Sequence, residues 1–185
     1  MGYATSQQLA RYYELYQNID VTFSKEVIKA TGLIPQLVFI KAMGGQWPCV
    51  INSASLSGAK IISGIKSGFY EKIQQGNTSV SLRFSFLEPE KNEALSFFVT
   101  AKITGFTQYA GSPDLVLIAI SYTQRAPDDL IEKLGGLLEA NINSAKRRED
   151  RITITPDAMR KLGITQKETI IFIQGIPRRC ILRDL

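Results

Sequence analysis

Val21-Thr-Phe-Ser-Lys-Glu-Val-Ile-Lys-Ala-Thr-Gly-Leu33 lies without a gap on Ile152-Thr-Ile-Thr-Pro-Asp-Ala-Met-Arg-Lys-Leu-Gly-Ile164 when the chain is shifted by 131 residues. Apolar residues fall on apolar residues, Glu26 on Asp157, Lys29 on Arg160 and Gly32 on Gly163. The first copy reads as a short extended piece, a helical turn capped by Ser24, and a glycine that ends it. After a two-residue slip Phe39-Ile40 meets Phe172-Ile173. The slip closes at the next turn, so that Cys49-Val50-Ile51 meets Cys180-Ile181-Leu182 and Ser53 falls on Asp184. A repeat of this kind means that the second part of the chain begins the same fold as the first. The second copy holds only residues 152–185, below the size at which a core usually sustains itself. The chain therefore reads as part of a longer protein, or as one whose tail folds against something else.

Around the first copy the pattern is mainly β. Thr5 to Asn18 predicts a helix, with Leu9, Tyr12, Tyr13 and Tyr16 at helical spacing. Gln36–Ala42, Trp47–Asn52, Ala59–Ser63, Thr78–Phe86, Ala94–Phe106 and Leu115–Tyr122 read as strands, with Gly and Pro turns between several of them. Within Thr78–Phe86 the apolar residues Val80, Leu82, Phe84 and Phe86 alternate onto one face. Pro127 followed by Asp128 and Asp129 starts a helix that buries Leu130, Leu134, Leu137 and Leu138; the Gly135-Gly136 pair weakens it by about 1 kcal/mol per exposed glycine. Short strands with flanking helices indicate a small barrel or sandwich.

Charge divides the 185 residues in the same place as the repeat. Residues 1–145 carry 12 Lys/Arg and 12 Asp/Glu; residues 146–185 carry 10 and 5, and seven of the ten arginines. The basic stretch Lys146-Arg147-Arg148-Glu149-Asp150-Arg151 sits at the boundary. A cluster of planar guanidinium forks suggests phosphate or base recognition. Glu149 and Asp150 interrupt the run, so plain polyanion binding is not the expectation. The chain contains no histidine, which excludes nucleophile–histidine hydrolases and argues against a structural zinc site. Cys49 and Cys180 lie in apolar strand contexts and read as reduced core residues. No apolar run reaches membrane-spanning length and no secretory signal opens the chain, so it reads as soluble and cytoplasmic.

The second copy resembles a PilZ domain. Arg147 and Arg151 match the RxxxR motif with which such domains open, with Arg148 adding to it. The arginine-rich strand from Arg178 to Leu185 resembles the one leading into the (D/N)xSxxG motif, with Asp184 as that motif's first residue and its serine and glycine beyond Leu185. The first copy keeps the SxxG part in Ser55-Leu56-Ser57-Gly58 and has Ser53 where Asp or Asn belongs. It carries Tyr16 and Asp20 where the second has Arg147 and Arg151.

The resemblance implies a PilZ-like small antiparallel β-barrel over residues 1–145 and, over 146–185, the RxxxR linker and a partial second barrel segment. It implies a bacterial receptor for cyclic di-GMP, without cofactor, metal or catalysis, that passes a change of interdomain arrangement to an unidentified effector protein, with motility as the family's usual output. Arg147, Arg148, Arg151 and Asp184 would carry the ligand: guanine O6 and N7 suit a bidentate arginine, and a carboxylate suits the guanine N–H edge.

Two other readings stand beside it. Arg151–Ile164 also resembles the start of an AbrB-like swapped-hairpin DNA-binding module, although Gln166-Lys167-Glu168 replaces the usual Gly-Asp turn and the repeat is left unexplained. The first copy could alone be a protein-binding barrel with no nucleotide ligand. Ser53, Ser55 and Gly58 are then a strand-edge turn, Trp47 a core or interface residue, and Asp128 and Asp129 helix-start residues.

Overall fold

The computed structural model describes residues 4–74, 76, 78–88, 93–145, 154–166, 168–173 and 176–181. The chain divides into two compact units, Met1–Ile142 and Asn143–Leu185.

The first unit opens with α1 (Ser6–Tyr16), whose Thr5 hydroxyl accepts from the Gln8 N–H. There follow β1 (Val21–Thr22), α2 (Lys25–Thr31), a tight 3-10 turn over Pro35–Leu37, β2 (Phe39–Ala42), β3 (Gly45–Pro48), β4 (Val50–Ala54) and β5 (Gly58–Gly64). After α3 (Phe69–Gln74) come the long strands β6 (Ser79–Glu88), β7 (Glu93–Gln108) and β8 (Leu115–Tyr122), and then α4 (Asp128–Ala145), which runs three residues past the unit's end.

Strands β1 to β8 form one sheet in the order β1-β4-β5-β8-β7-β6-β2-β3, every pair antiparallel. The ladder is open between β1 and β3. Bulges between Ile51 and Ser53 and between Ile103 and Gly105 bend it into a barrel-like form. The alternation expected in β6 is present: Val80, Leu82, Phe84 and Phe86 are buried, and the rings of Phe84, Phe86 and Phe97 stack with centroids 5.7–6.0 Å apart. These residues share one core with Leu9, Tyr12 and Tyr16 of α1, Phe69 and Ile73 of α3 and Leu130, Ile131 and Leu134 of α4.

Two strands differ from expectation. The run from Gln36 begins as a 3-10 turn because Pro35 sets the turn dihedral and cannot donate, so β2 starts only at Phe39. Trp47–Asn52 is a corner and not one strand: β3 pairs with β2, Pro48 ends it, and after Cys49 the chain pairs with β5 as β4. The β2–β3 hairpin turns on Met43 and Gly44, both at positive φ (47° and 75°), the two-residue turn whose twist matches paired strands.

The second unit contains α5 (Pro156–Leu162) and the antiparallel hairpin of β9 (Glu168–Ile173) with β10 (Ile176–Ile181). Its likeness to the first unit is geometric. Ser24 caps α2 and Thr155 caps α5, each accepting from the N–H three residues on; Gly32 and Gly163 end the two helices in the left-handed conformation, at φ 73° and 64° and a common ψ of 21°. In the hairpins, Phe39 opposes Pro48 and Ile40 opposes Trp47, while Ile170 opposes Arg179 and Ile171 opposes Arg178. All these equivalences keep the spacing of 131. The two-residue slip is therefore a correction: side-chain likeness set Phe39-Ile40 on Phe172-Ile173, whereas the hairpins themselves superpose in sequence with no slip.

The Gly135-Gly136 pair has a packing cause. A Cβ at Gly135 would lie 2.4 Å from Tyr12 Cδ2, so the tyrosine ring of α1 sits directly on the α4 backbone. The phenol donates to Glu139 (2.6 Å) and accepts from Gln8 (2.7 Å). Burial pushes its pKa above the ordinary tyrosine value, with the Glu139 carboxylate adding to the effect. At Gly136 a Cβ would meet nothing within 4 Å.

Two outcomes follow, both read in denaturant titrations or thiol labelling. Gly135→Ala destabilises the first unit by about 1–3 kcal/mol through overpacking, although alanine is the better helix former. Gly136→Ala stabilises it by up to about 1 kcal/mol. Burial raises the Cys49 thiol to about 12, so in a Cys180→Ser background a thiol reagent at neutral pH labels Cys49 only as the chain unfolds.

Candidate functional site

Arg147, Arg148, Arg151 and Asp184 lie outside the described residues, so the candidate site is approached through its counterpart in the first unit. The same spacing of 131 sets Tyr16 opposite Arg147, Asp20 opposite Arg151 and Ser53 opposite Asp184. In the first unit these three residues occur where α1 leads into β1 and where β4 pairs with β1, through Val21 on Ala54 and Thr22 on Ser53.

Each has been turned inward or paired within the unit. Tyr16 is 7% exposed and packs against Tyr12, with ring centroids 6.0 Å apart. The Asp20 carboxylate accepts from the Lys60 ammonium of β5 at 2.6 Å, in a half-exposed ion pair. Such a pair contributes roughly 1 kcal/mol or less to stability, but it fixes where the connecting segment lies. Beside it the Ser57 hydroxyl donates to Asn18 Oδ1 at 3.2 Å. The segment after α1 is thus tied at two points to the β4–β5 hairpin and its turn.

The Ser55-Leu56-Ser57-Gly58 turn forms as the strand-edge reading expects. The Ser55 hydroxyl accepts from the N–H groups of Ser57 and Gly58, and the Ser55 N–H donates to the Gly58 carbonyl. Gly58 is required by close approach: a Cβ there would lie 2.5 Å from the Ile120 carbonyl oxygen of β8. The hydroxyls of Ser53 and Tyr122 are buried and have no hydrogen-bond partner among the described residues. Burial pushes the Tyr122 phenol above its ordinary pKa, and the Asp20 carboxylate pushes it the same way. The corner is polar and closed, and apart from the Ser53 and Tyr122 hydroxyls its polar side chains Asn18, Asp20, Ser55, Ser57 and Lys60 are paired with one another or with the backbone. It offers no guanidinium, since the described arginines of this unit, Arg11, Arg83 and Arg125, bond elsewhere.

The sequence reading missed Asn18, Lys60 and Tyr122. The signal for Lys60 was its position two residues after Gly58, on the strand that the SxxG turn feeds. Trp47 is part of the fold: it packs on Phe69 at 5.3 Å, with Lys72 over its ring. Asp128 is a helix-start residue and pairs with Arg125. In the second unit Asp157 of the first turn of α5 pairs with Arg160. Among the described residues no cluster of His, Cys, Asp and Glu could hold a metal ion, and no helix is long and apolar enough to cross a membrane.

Comparison with known proteins agrees with this architecture. A protein of Treponema denticola named "Cyclic di-GMP binding protein" is 59% identical over the whole of this chain, and the chain spans 59% of that protein's length. The crystal structure of Borreliella burgdorferi PlzA in complex with c-di-GMP superposes with a TM-score of 0.60 at 22% identity, covering 97% of this chain and 74% of that one; this is a likeness of fold. The family model of the PilZN3 domain matches residues 7–141, nearly the whole first unit. The chain therefore belongs to the PilZN3-domain family, within the PilZ proteins that its repeated segment resembles.

Proposed function

We propose that this chain is the sensing part of a bacterial cytoplasmic cyclic di-GMP receptor. Residues 1–145 form a PilZ-like domain that has given up the ligand. Residues 146–185 form the linker and the opening of the domain that takes it, completed by residues beyond Leu185. Arg147 and Arg151, assisted by Arg148, clamp the dinucleotide, and Asp184 accepts from the N1–H and N2–H edge of guanine. The protein acts as a switch without catalysis: ligand orders the linker, and an effector protein reads the new arrangement of the two domains.

The observation that carries the reading is the constant spacing of the two copies, from helix cap to hairpin register. Carried outward along the sequence, it sets two arginines and an aspartate opposite the positions that the first unit fills with Tyr16, Asp20 and Ser53. The Treponema relative's name supports the ligand class. The AbrB-like alternative gives no reason for such a repeat.

In calorimetry, cyclic di-GMP titrated into the protein continued past Leu185 releases heat with one saturable site, and cyclic di-AMP, which lacks the guanine edge, does not. Arg147→Ala and Asp184→Ala each weaken binding by about 1–3 kcal/mol, roughly five- to 150-fold. Absence of binding, or unchanged affinity in both variants, overturns the proposal.

A further inference from the structure

The strand register builds a feature that no single stretch of sequence displays. On the outward face of the first unit's sheet, residues opposite one another across β3, β2, β6 and β7 fall into rows. One row is Pro48, Phe39, Arg83 and Phe98; the next is Gln46, Lys41, Ser81 and Thr100; beyond it Ser79 faces Lys102. Successive rows lie about 7 Å apart along the strands, the repeat of alternate side chains in an extended chain.

These rows concentrate cations over aromatic rings. The Lys41 ammonium lies 4.4 Å from the Phe98 ring centroid, and the Arg83 guanidinium 4.9 Å from that of Phe39. The two rings meet edge to face at 6.2 Å, and Phe98 is 44% exposed. Arg83 donates to Ser96 at 2.9 Å, while its Nε is buried without a partner among the described residues. Among the described residues no carboxylate pairs with Lys41, Arg83 or Lys102. Elsewhere among the unit's described residues Arg11, Lys60, Lys66 and Arg125 each have one, and Lys25, Lys29, Lys72 and Lys133 do not. The rows themselves hold three cations and no Asp or Glu, within residues 1–145 that are charge-balanced overall. Beside the rows an open groove of about 730 Å³ runs under the tip of the β2–β3 hairpin, where Met43 is 54% exposed.

We propose that this face docks an acidic, extended segment of a partner protein. Its carboxylates meet Lys41, Arg83 and Lys102, and its alternate apolar side chains rest on the exposed edge of Phe98 and on Met43. A protein segment fits better than a nucleic-acid strand. Single-stranded nucleic acid takes much of its affinity from bases stacked on open aromatic faces. Here Lys41 lies over Phe98 and Arg83 over Phe39, and the exposed Lys41 and Lys102 ammonium groups, with the half-buried Arg83 beside them, suit carboxylates. The inference is independent of cyclic di-GMP binding.

The test uses the full chain and a fluorescein-labelled peptide of alternating Glu and Phe, followed by fluorescence anisotropy at low salt. The expected result is saturable binding that weakens as salt rises. The exposed substitutions Lys41→Glu and Lys102→Glu each reduce the affinity roughly tenfold, while Lys66→Glu, beside Asp114, leaves it unchanged. Unfolding midpoints within the wild-type range establish that the variants fold. The proposal is overturned if the peptide does not bind or if the same peptide with Gln for Glu binds equally well. It is equally overturned if all three variants bind alike, or if labelled oligo-dT binds more tightly than the peptide.

Discussion

A short helix turns its chain onto the edge of a neighbouring strand most directly through one residue that accepts a left-handed backbone. Gly32 does this at the end of α2. Its carbonyl then accepts from the Leu87 N–H at 2.8 Å, and the Ile34 N–H donates to Ser85, so the chain lands on the far end of β6 as it leaves the helix. Any L side chain at Gly32 would be strained by the dihedral and pressed to 3.1 Å from the Leu87 carbonyl oxygen. From that landing point the order of β6, β2 and β3 follows, and with it the outward rows of side chains. The same device ends α5 at Gly163, at nearly the same dihedrals.

Between the two copies the helix cap and the hairpin register are kept while side chains differ. In the first unit the segment after α1 is held to the β4–β5 hairpin by Asp20 on Lys60 and by Ser57 on Asn18, an arrangement that needs no ligand. In the second, Asp20 is matched by Arg151, Asn18 by Glu149 and the buried Tyr16 by Arg147. An arginine at the place of Asp20 cannot make the carboxylate–ammonium pair that closes the corner of the first unit.

Much of this was legible in the chain itself, and what was not has physical causes. Helix starts at Thr5 and Ser24 and the stop at Gly32 were read correctly, because capping is a local matter of one or two residues, whereas α4 begins at Asp128, one residue after the expected Pro127. The alternation of β6 was equally plain. Trp47–Asn52 was misread because a strand that changes partners at a corner keeps its alternation; only Pro48 hinted at the break. The slip at Phe39 was an error of ranking likeness of side chains above the position of the turn, which is what sets hairpin register. The candidate site was legible as a motif and a spacing. Lys60 was not, because its partner Asp20 is forty residues away and only the sheet brings them together. Phe39, Arg83 and Phe98 escaped for the same reason: three positions on three strands become neighbours only once register is known.

The seat of Tyr12 on the bare backbone at Gly135 has a consequence for descent. Neither residue can be altered alone without leaving a hole or forcing an overlap. Among related chains the two positions should therefore change together: wherever a side chain appears at the helix notch, the opposing ring should have shrunk to make room. A pair of columns drifting in step would be the historical trace of one contact between the first helix and α4.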